Sequence, residues 1–499
     1  MTVVERAKQR EHSLSTDKDV SGLATLSVRK KSILANSQHV AARREAYRQR
    51  AAFFHEEDLR YLRFLISPGL RVLEIGCGTG AVLAALEPRF GVGVDISSAM
   101  IGEANRLRPG LQFYIGDAED ADFIESLPGP FDVILIVDTI GAFDDCQRVF
   151  EALHSHCTRE TRLIVAYYSH LWEPLLSFAE FIGWRNRQPL QNALSSNDVS
   201  AIAELADFEI IKSDSRLLSP LRLLGVGRLI NRFVSILPVI RALSLRHYSV
   251  YRSLRRTVDG LRSATVVIPA RNERGNIEPA VKRIPRFCDN IELIFIEGHS
   301  RDGTLEEIKR VAAAYPTLDI KVMSQLGKGK ADAVFTAFDA ARGDVLMILD
   351  ADLTMPPEQL PKFWSAIASG KGEFINGSRL IYPMEDRAMQ FLNLVANKLF
   401  SIIFSWLLEQ RFTDTLCGTK VLRRLDYERL KQGRSYFGKF DPFGDFDLIF
   451  GATKLNLRCV EVPIRYVARR YGETQISRFR HGILLIKMVV FAFFRIKAL

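Results

Sequence analysis

VLEIGCGTG, residues 72–80, is an apolar run that breaks into three glycines spaced two apart, Gly76, Gly78 and Gly80. A run of that length ending in glycine is a strand, and such a turn lets backbone N–H groups approach a ligand at the start of a helix. Working outward, similar runs recur at RVLEI (71–75), GVGVD (91–95), LQFYI (111–115), FDVILIV (131–137), TRLIVAY (161–167) and FEIIKSDSRLL (208–218). Helical spacing fills the gaps, so the alternation implies βα units on a parallel sheet. Two acids fall at strand ends on the side of the glycine turn. Asp95 closes the second run, where a carboxylate can accept a ribose diol, and Asp117 follows the third, where an adenine would lie. Dinucleotide folds share a glycine turn, but GxGxG lacks the GxGxxG spacing and the unit occurs once. His154, His156 and His170 read as structural, and no catalytic base stands out.

A second α/β series opens at ATVVIPA (264–270), with ELIFIEG (292–298) and DVLMILDAD (344–352) as further strands. Pro269 and Ala270 turn the first strand's end, leaving Asn272 and Glu273 to meet a base or ribose. Glu297 and Asp302 stand at the next strand end. Lys328 and Lys330 flank a glycine in QLGKGKADA (325–333), which suits a loop over a diphosphate. In LMILDADLTMPP (346–357), Asp350 and Asp352 lie two residues apart and point the same way, so they can share a divalent cation with a nucleotide diphosphate.

On these residues, 45–215 resembles the class I S-adenosylmethionine-dependent methyltransferases, whose first motif is an acid before GxGxG, here Glu74 and Gly76–Gly80. The resemblance implies a Rossmann-like fold. Glu74, Gly76, Gly78 and Gly80 would hold the amino-acid end of S-adenosylmethionine, Asp95 the ribose and Asp117 the adenine. A copy that binds the donor without turnover is the rival reading. Residues 264–480 resemble glycosyltransferase family 2, fold type GT-A, and within it the polyprenol-phosphate sugar synthases typified by dolichyl-phosphate mannose synthase. The likeness rests on DADLT-x-PP, Gly377-Ser378-Arg379, DTLCGTKVLRR (414–424), EVPIRY (461–466) and the segment from Arg469 to Gln475, where the family has lysine at the last position.

This second resemblance implies an inverting, metal-dependent transfer from a nucleotide-sugar donor (GDP-mannose or UDP-glucose type) to a polyprenyl phosphate. Asp350, Asp352 and, by register, Asp445 would hold Mg²⁺ or Mn²⁺. Arg379, Lys420 and Arg469 would seat the acceptor phosphate, with Arg478 or Arg480 standing in for the family lysine. Pro269, Ala270, Asn272, Glu273, Glu297, Asp302, Lys328 and Asp350 would bind the donor. A soluble or cell-envelope glycan acceptor is the alternative.

Composition is that of a globular protein: 499 residues, 47% hydrophobic and 25% charged, too apolar for a disordered scaffold and long enough for two or three domains. The six cysteines are scattered without a CxxC pair, as for reduced thiols. The start, MTVVERAKQREHS, has no apolar h-region, so no cleaved signal is expected. The net charge of +10 is uneven: residues 51–211 carry −13 and residues 212–262 carry +9. The basic joint reads as helical and suits an anionic membrane surface better than nucleic acid, for which no signature is present. Apolar stretches 391–408 and 483–494 fall short as membrane spans and suit helices in the interface plane. The expected layout is a loose tail (1–40), a methyltransferase-like domain (41–218), a basic linker (219–262) and a glycosyltransferase domain (263–499). The expected location is cytoplasmic, peripherally attached to the cytoplasmic face of a membrane.

Overall fold

The computed structural model describes residues 26–183, 185, 191–257, 260–382, 391–436, 444–472 and 478–499. The chain divides into two α/β units. The first runs through Ile210 and adds Ser215–Arg228 and Leu243–Tyr251; the second takes Ile211–Asp214, Leu229–Ala242 and Arg252–Leu499.

Seven strands build the first sheet: β1 (Arg71–Ile75), β2 (Phe90–Asp95), β3 (Gln112–Ile115), β4 (Val133–Val137), β5 (Arg162–Tyr168), β6 (Phe208–Arg216) and β7 (Arg246–Ser253). Their order is β3-β2-β1-β4-β5-β7-β6. The first five are mutually parallel and β7 runs antiparallel to β5. Parallel strands are covered on both faces and read as unbroken apolar runs. VILIV of β4 is accordingly buried at every position. Leu73, Val92, Ile134, Ile136, Leu163 and Val165 have no exposed surface, each contributing about 1.5–3 kcal/mol through burial. The strand order reverses between β1 and β4, which in doubly wound sheets places a ligand crevice beyond the strands' carboxyl ends.

Two stretches differ from the sequence reading. Residues 221–256 are not one helix: short helical turns break at Leu224, which has φ +54°, and RHYSVYRS then becomes β7. Leucines at helical spacing before Arg246 masked the change to a two-residue period. Residues 28–40, expected in a loose tail, form a helix whose N-cap Ser27 accepts the Lys30 N–H at 3.1 Å.

The second sheet has β8 (Ser263–Ala270), β9 (Asn290–Glu297), β10 (Asp319–Ser324), β11 (Val345–Ile348), β12 (Phe374–Ser378), β13 (Lys420–Arg423) and β14 (Cys459–Pro463). The order is β10-β9-β8-β11-β13-β12-β14, with only β13 antiparallel to its neighbours. Val266, Ile268, Phe295, Met347, Phe363 and Ile375 form its fully buried centre. Ala270 pairs with Glu297 and Ile348 with Val267, so β8, β9 and β11 end on one edge. Both units are thus α/β with parallel-strand cores, as the alternation of runs implied.

Candidate active sites

In the first unit the turn after β1 is tied down by Gly76 N and Cys77 N, which donate to Val94 O at 2.7 and 3.0 Å. Gly76 has φ +72° and Gly78 φ +53°. A methyl group on Gly76 would fall 2.2 Å from Thr139 Oγ1, whereas one on Gly78 would meet no atom within 4 Å. Gly76 is therefore a packing glycine, and Gly78 bares its backbone toward open space where a ligand can lie. Asp95 accepts Gly78 N through Oδ2 at 2.8 Å and Ser97 N through Oδ1 at 2.9 Å. Each oxygen keeps a second lone pair, so Asp95 shapes the turn and can still receive hydroxyls. Burial pushes its carboxyl up despite the two N–H groups.

Glu74 lies under the turn, buried, and accepts Leu83 N at 3.0 Å. Burial raises its carboxyl to about 8, so it anchors the following helix largely as the neutral acid. Asp117 is engaged: Lys30 Nζ reaches its Oδ2 at 2.6 Å and Glu119 Oε1 at 2.9 Å. Arg29 beside it donates to Gly141 O and Phe143 O. The sequence reading missed this, because helix 28–40 has no apolar stripe to reveal that it packs. His154 and His156 bond to Ala206 O and Ile124 O inside the core, in keeping with structural roles.

In the second unit three strand ends supply one cluster. Asn272, at φ +55°, turns the chain after β8 and accepts Arg301 N at 2.8 Å. Glu273 follows, nearly buried; burial pushes its carboxyl up, opposed by Arg469. Arg469 Nη1 donates to Glu273 Oε1 and its Nη2 to Asp352 Oδ2, both at 2.7 Å. Asp352 Oδ1 also accepts Thr354 N and Oγ1 at 3.1 and 2.8 Å. Asp350 Oδ1 lies 2.6 Å from Lys330 Nζ. Burial alone would lower the Lys330 ammonium, but Asp350 and Asp445 outweigh it and hold it above its usual range. Gly418 makes room for this pair: a methyl there would sit 2.0 Å from Asp350 Oδ2. At the end of β9, Glu297 accepts Ser300 N. Asp302 accepts Thr304 and Arg274 N–H groups.

Lys330 reaches Asp350, and Lys328 is exposed. Arg379 is forked onto Asp414 at 2.7 and 2.8 Å, so its guanidinium braces the 412–416 loop. Lys420 is fully buried and donates to Cys417 O. Arg469 is committed to two carboxylates, and Gln475 lies outside the described residues. Asp445 begins helix Asp445–Lys454, with Lys420 Nζ 3.9 Å from its Oδ1. Among the described residues no three His, Cys, Asp or Glu side chains gather at metal-ligand distance, so the set Asp350, Asp352 and Asp445 is not assembled. Lys330 takes up Asp350, and Asp352 turns to Arg469. The donors still suit a hard divalent ion. Asp350 and Asp352 already draw cationic groups, and Asp445 Oδ1 is buried without a hydrogen bond.

Comparison with known proteins assigns each half. Residues 43–213 match the model described as "Methyltransferase domain", and residues 265–429 match "Glycosyl transferase family 2". The undecaprenyl-phosphate 4-deoxy-4-formamido-L-arabinose transferase of Aeromonas hydrophila is 26% identical over 221 residues, 43% of this chain and 63% of that protein. The dolichol-phosphate mannosyltransferase of Pyrococcus furiosus is 37% identical over 119 residues, 23% of this chain and 33% of that protein. The chain thus spans less than two thirds of either relative. A solved S-adenosylmethionine-dependent methyltransferase of Thermotoga maritima is 18% identical, with TM-score 0.33, covering 44% of this chain and 99% of the other. One chain thus joins a methyltransferase-domain match at residues 43–213 to a glycosyl transferase family 2 match at residues 265–429.

Proposed function

We propose that the second unit transfers a sugar from a nucleotide-diphosphate donor, of the GDP-mannose or UDP-glucose kind, to a polyprenyl phosphate with inversion, and that the first unit binds S-adenosylmethionine. The observation that supports the transfer most is the Glu273–Arg469–Asp352 bridge beside the Asp350–Lys330 pair. Two carboxylates and two cations at converging strand ends can exchange partners when a diphosphate enters, leaving Lys330 and Arg469 free to donate to phosphate oxygens. Pro269–Glu273, Glu297 and Asp302 face the base and ribose in this reading, and Lys328 covers the diphosphate. A lipid monophosphate is anionic at neutral pH and needs little base assistance, so the protein's task is alignment and neutralisation of the leaving group. Mg²⁺ or Mn²⁺ held by Asp350 and Asp352 would supply further neutralisation of the departing diphosphate.

Two helices support peripheral attachment to the cytoplasmic face of a membrane. Phe391–Leu408 buries Phe404 and Leu407 but exposes Leu399 and Ile402. The helix Arg478–Ala492 and the turn after it bury Met488 and Ala492 but expose Ile483, Ile486, Val490 and Phe494. Segment 229–242 adds Arg232, which donates to Ala498 O, and Trp406 Nε1 donates to Ile236 O, so basic and apolar groups share this region. Among the described residues no helix is long and apolar enough to cross a membrane. Incubation with labelled GDP-mannose or UDP-glucose and a short polyprenyl phosphate tests the reading. Label is expected in an acid-labile, organic-soluble phosphodiester. Label only in water-soluble glycan would favour the other acceptor class and refute this one.

A further inference from the structure

Asp138 follows β4 with φ +56°, a left-handed conformation that a residue carrying a Cβ adopts only at a cost. Its neighbour Thr139 is pressed against the glycine turn, donating from Oγ1 to Gly76 O at 3.3 Å. Because β4 pairs with β1, whose end carries the glycine turn, Asp138 follows β4 on the same edge of the sheet as that turn. Behind it stands a buried ion network that none of the donor-binding residues uses. Arg246, without exposed surface, donates from Nη1 to Asp138 Oδ1. From Nε it donates to Asp58 Oδ1 at 3.1 Å. The Tyr248 hydroxyl donates to Asp58 as well. The guanidinium lies 4.7 Å from the centre of the Tyr168 ring and 5.7 Å from those of Phe54 and Tyr248.

Within that network Asp138 alone opens outward: its side chain is 30% exposed, against 4% for Asp58 and none for Arg246. Oδ1 is fixed by Arg246, and Oδ2 makes no hydrogen bond among the described residues. Two carboxylates share this one guanidinium, and Arg48 is a further cation whose field reaches Asp58. His55 on helix Ala52–Leu65 adds no charge, because burial lowers its imidazole to about 4 and keeps it neutral. Arg185 is the other cation whose field reaches Asp138.

We propose that Asp138 is the general base of methyl transfer in the first unit, removing the proton from a neutral hydroxyl or amine acceptor. The assignment rests on the reading of the glycine turn as a methyl-donor site. As the acceptor's lone pair bonds to the methyl carbon, the donor's C–S bond breaks and its electron pair stays on sulfur. The acceptor's proton passes to Asp138 Oδ2 and later to water. The sulfonium charge and the carboxylate charge are lost together, so the pocket ends neutralised by one unit of each sign. A phosphate or carboxylate acceptor would bring a second anion against Asp138 and has no proton to give. Burial pushes the Asp138 carboxyl up while Arg246 opposes it, and a less acidic carboxyl is the stronger base.

The test uses the full chain with methyl-labelled S-adenosylmethionine and three kinds of probe: octyl glucoside and octyl mannoside, octylamine, and octyl phosphate. A total lipid extract from cells lacking the protein is a further acceptor. Label is expected in a neutral acceptor and not in octyl phosphate. Asp138→Asn keeps an oxygen for Arg246, and should lower transfer about a hundredfold while donor affinity by calorimetry stays within about twofold. Its residual rate should climb with pH, whereas the unaltered chain loses activity as pH falls. Formate should restore part of the activity of Asp138→Ala, which a merely structural role would not allow. Transfer by Asp138→Asn at an unaltered rate and pH profile would overturn the assignment, as would donor binding with no transfer to any acceptor. Failure of the unaltered chain to bind S-adenosylmethionine would overturn the donor reading beneath it.

Discussion

Arg469 holds Glu273 and Asp352 together, two acids contributed by different strand ends and otherwise in mutual repulsion. A charge-assisted hydrogen bond contributes roughly 1.5–3 kcal/mol. Arg469→Gln should weaken GDP or UDP binding by tenfold or more while the core strands stay folded, as read by calorimetry beside circular dichroism; unchanged affinity would show that the bridge has no part in donor binding. Glu74 makes a different prediction, because its carboxyl sits at about 8 in the folded state against about 4.3 in an unfolded chain. Between those values the folded state holds a proton that the unfolded state lacks, so this group's contribution is full below about pH 4.3 and is lost as pH rises through 8. Glu74→Gln cannot ionise and should flatten that decline. Urea midpoints at pH 5 and pH 8 check it, and equal slopes for both proteins would contradict the burial argument. At this scale the acids were legible in the sequence and their partners were not. Asp95, Asp350 and Asp352 stand at strand ends that apolar runs reveal, whereas Lys30 and Arg246 arrive from segments whose folding no local pattern fixes; Lys330 was legible as a diphosphate-loop residue but not as the partner of Asp350.

The glycine turn separates two consequences of one kind of substitution. Gly76→Ala combines a positive φ with overlap on Thr139, and should cost about 2–5 kcal/mol of stability. Gly78→Ala carries only the backbone strain, about 1–2 kcal/mol, yet its methyl would project into the open space above the turn. Melting temperature should therefore fall further for Gly76→Ala. Of the two variants, Gly78→Ala should keep the more stable fold while binding S-adenosylmethionine more than tenfold more weakly than the unaltered chain. The reverse order would mean that the ligand lies elsewhere. The parallel strands were readable for the same physical reason that they are buried, since helices on both faces require apolar residues at every position. β7 was not, because its alternating RHYSVYRS follows directly on leucines at helical spacing. β13 was hidden by its length of four residues and by Lys420 at its start.

Across the whole chain, the basic joint and the half-exposed apolar helices predict attachment to anionic vesicles without a span. Each basic residue near such a surface contributes about 1 kcal/mol within a Debye length, so raised salt should release much of the protein. Ile402→Glu combined with Val490→Glu should reduce co-sedimentation with phosphatidylglycerol vesicles about tenfold or more, since each places a charge on an exposed apolar face. Resistance to salt and alkaline carbonate together would contradict peripheral attachment. The paired acids after β11 make the most direct prediction. Sugar transfer to a short polyprenyl phosphate should be measured for the unaltered chain, Asp350→Asn, Asp352→Asn and Asp445→Asn, with Mg²⁺ or Mn²⁺ and with chelator. Loss in chelator is expected, with a fall of about a hundredfold or more for Asp350→Asn and Asp352→Asn and a smaller loss for Asp445→Asn. Transfer that persists in chelator, or Asp445→Asn proving more damaging than Asp352→Asn, would contradict that expectation.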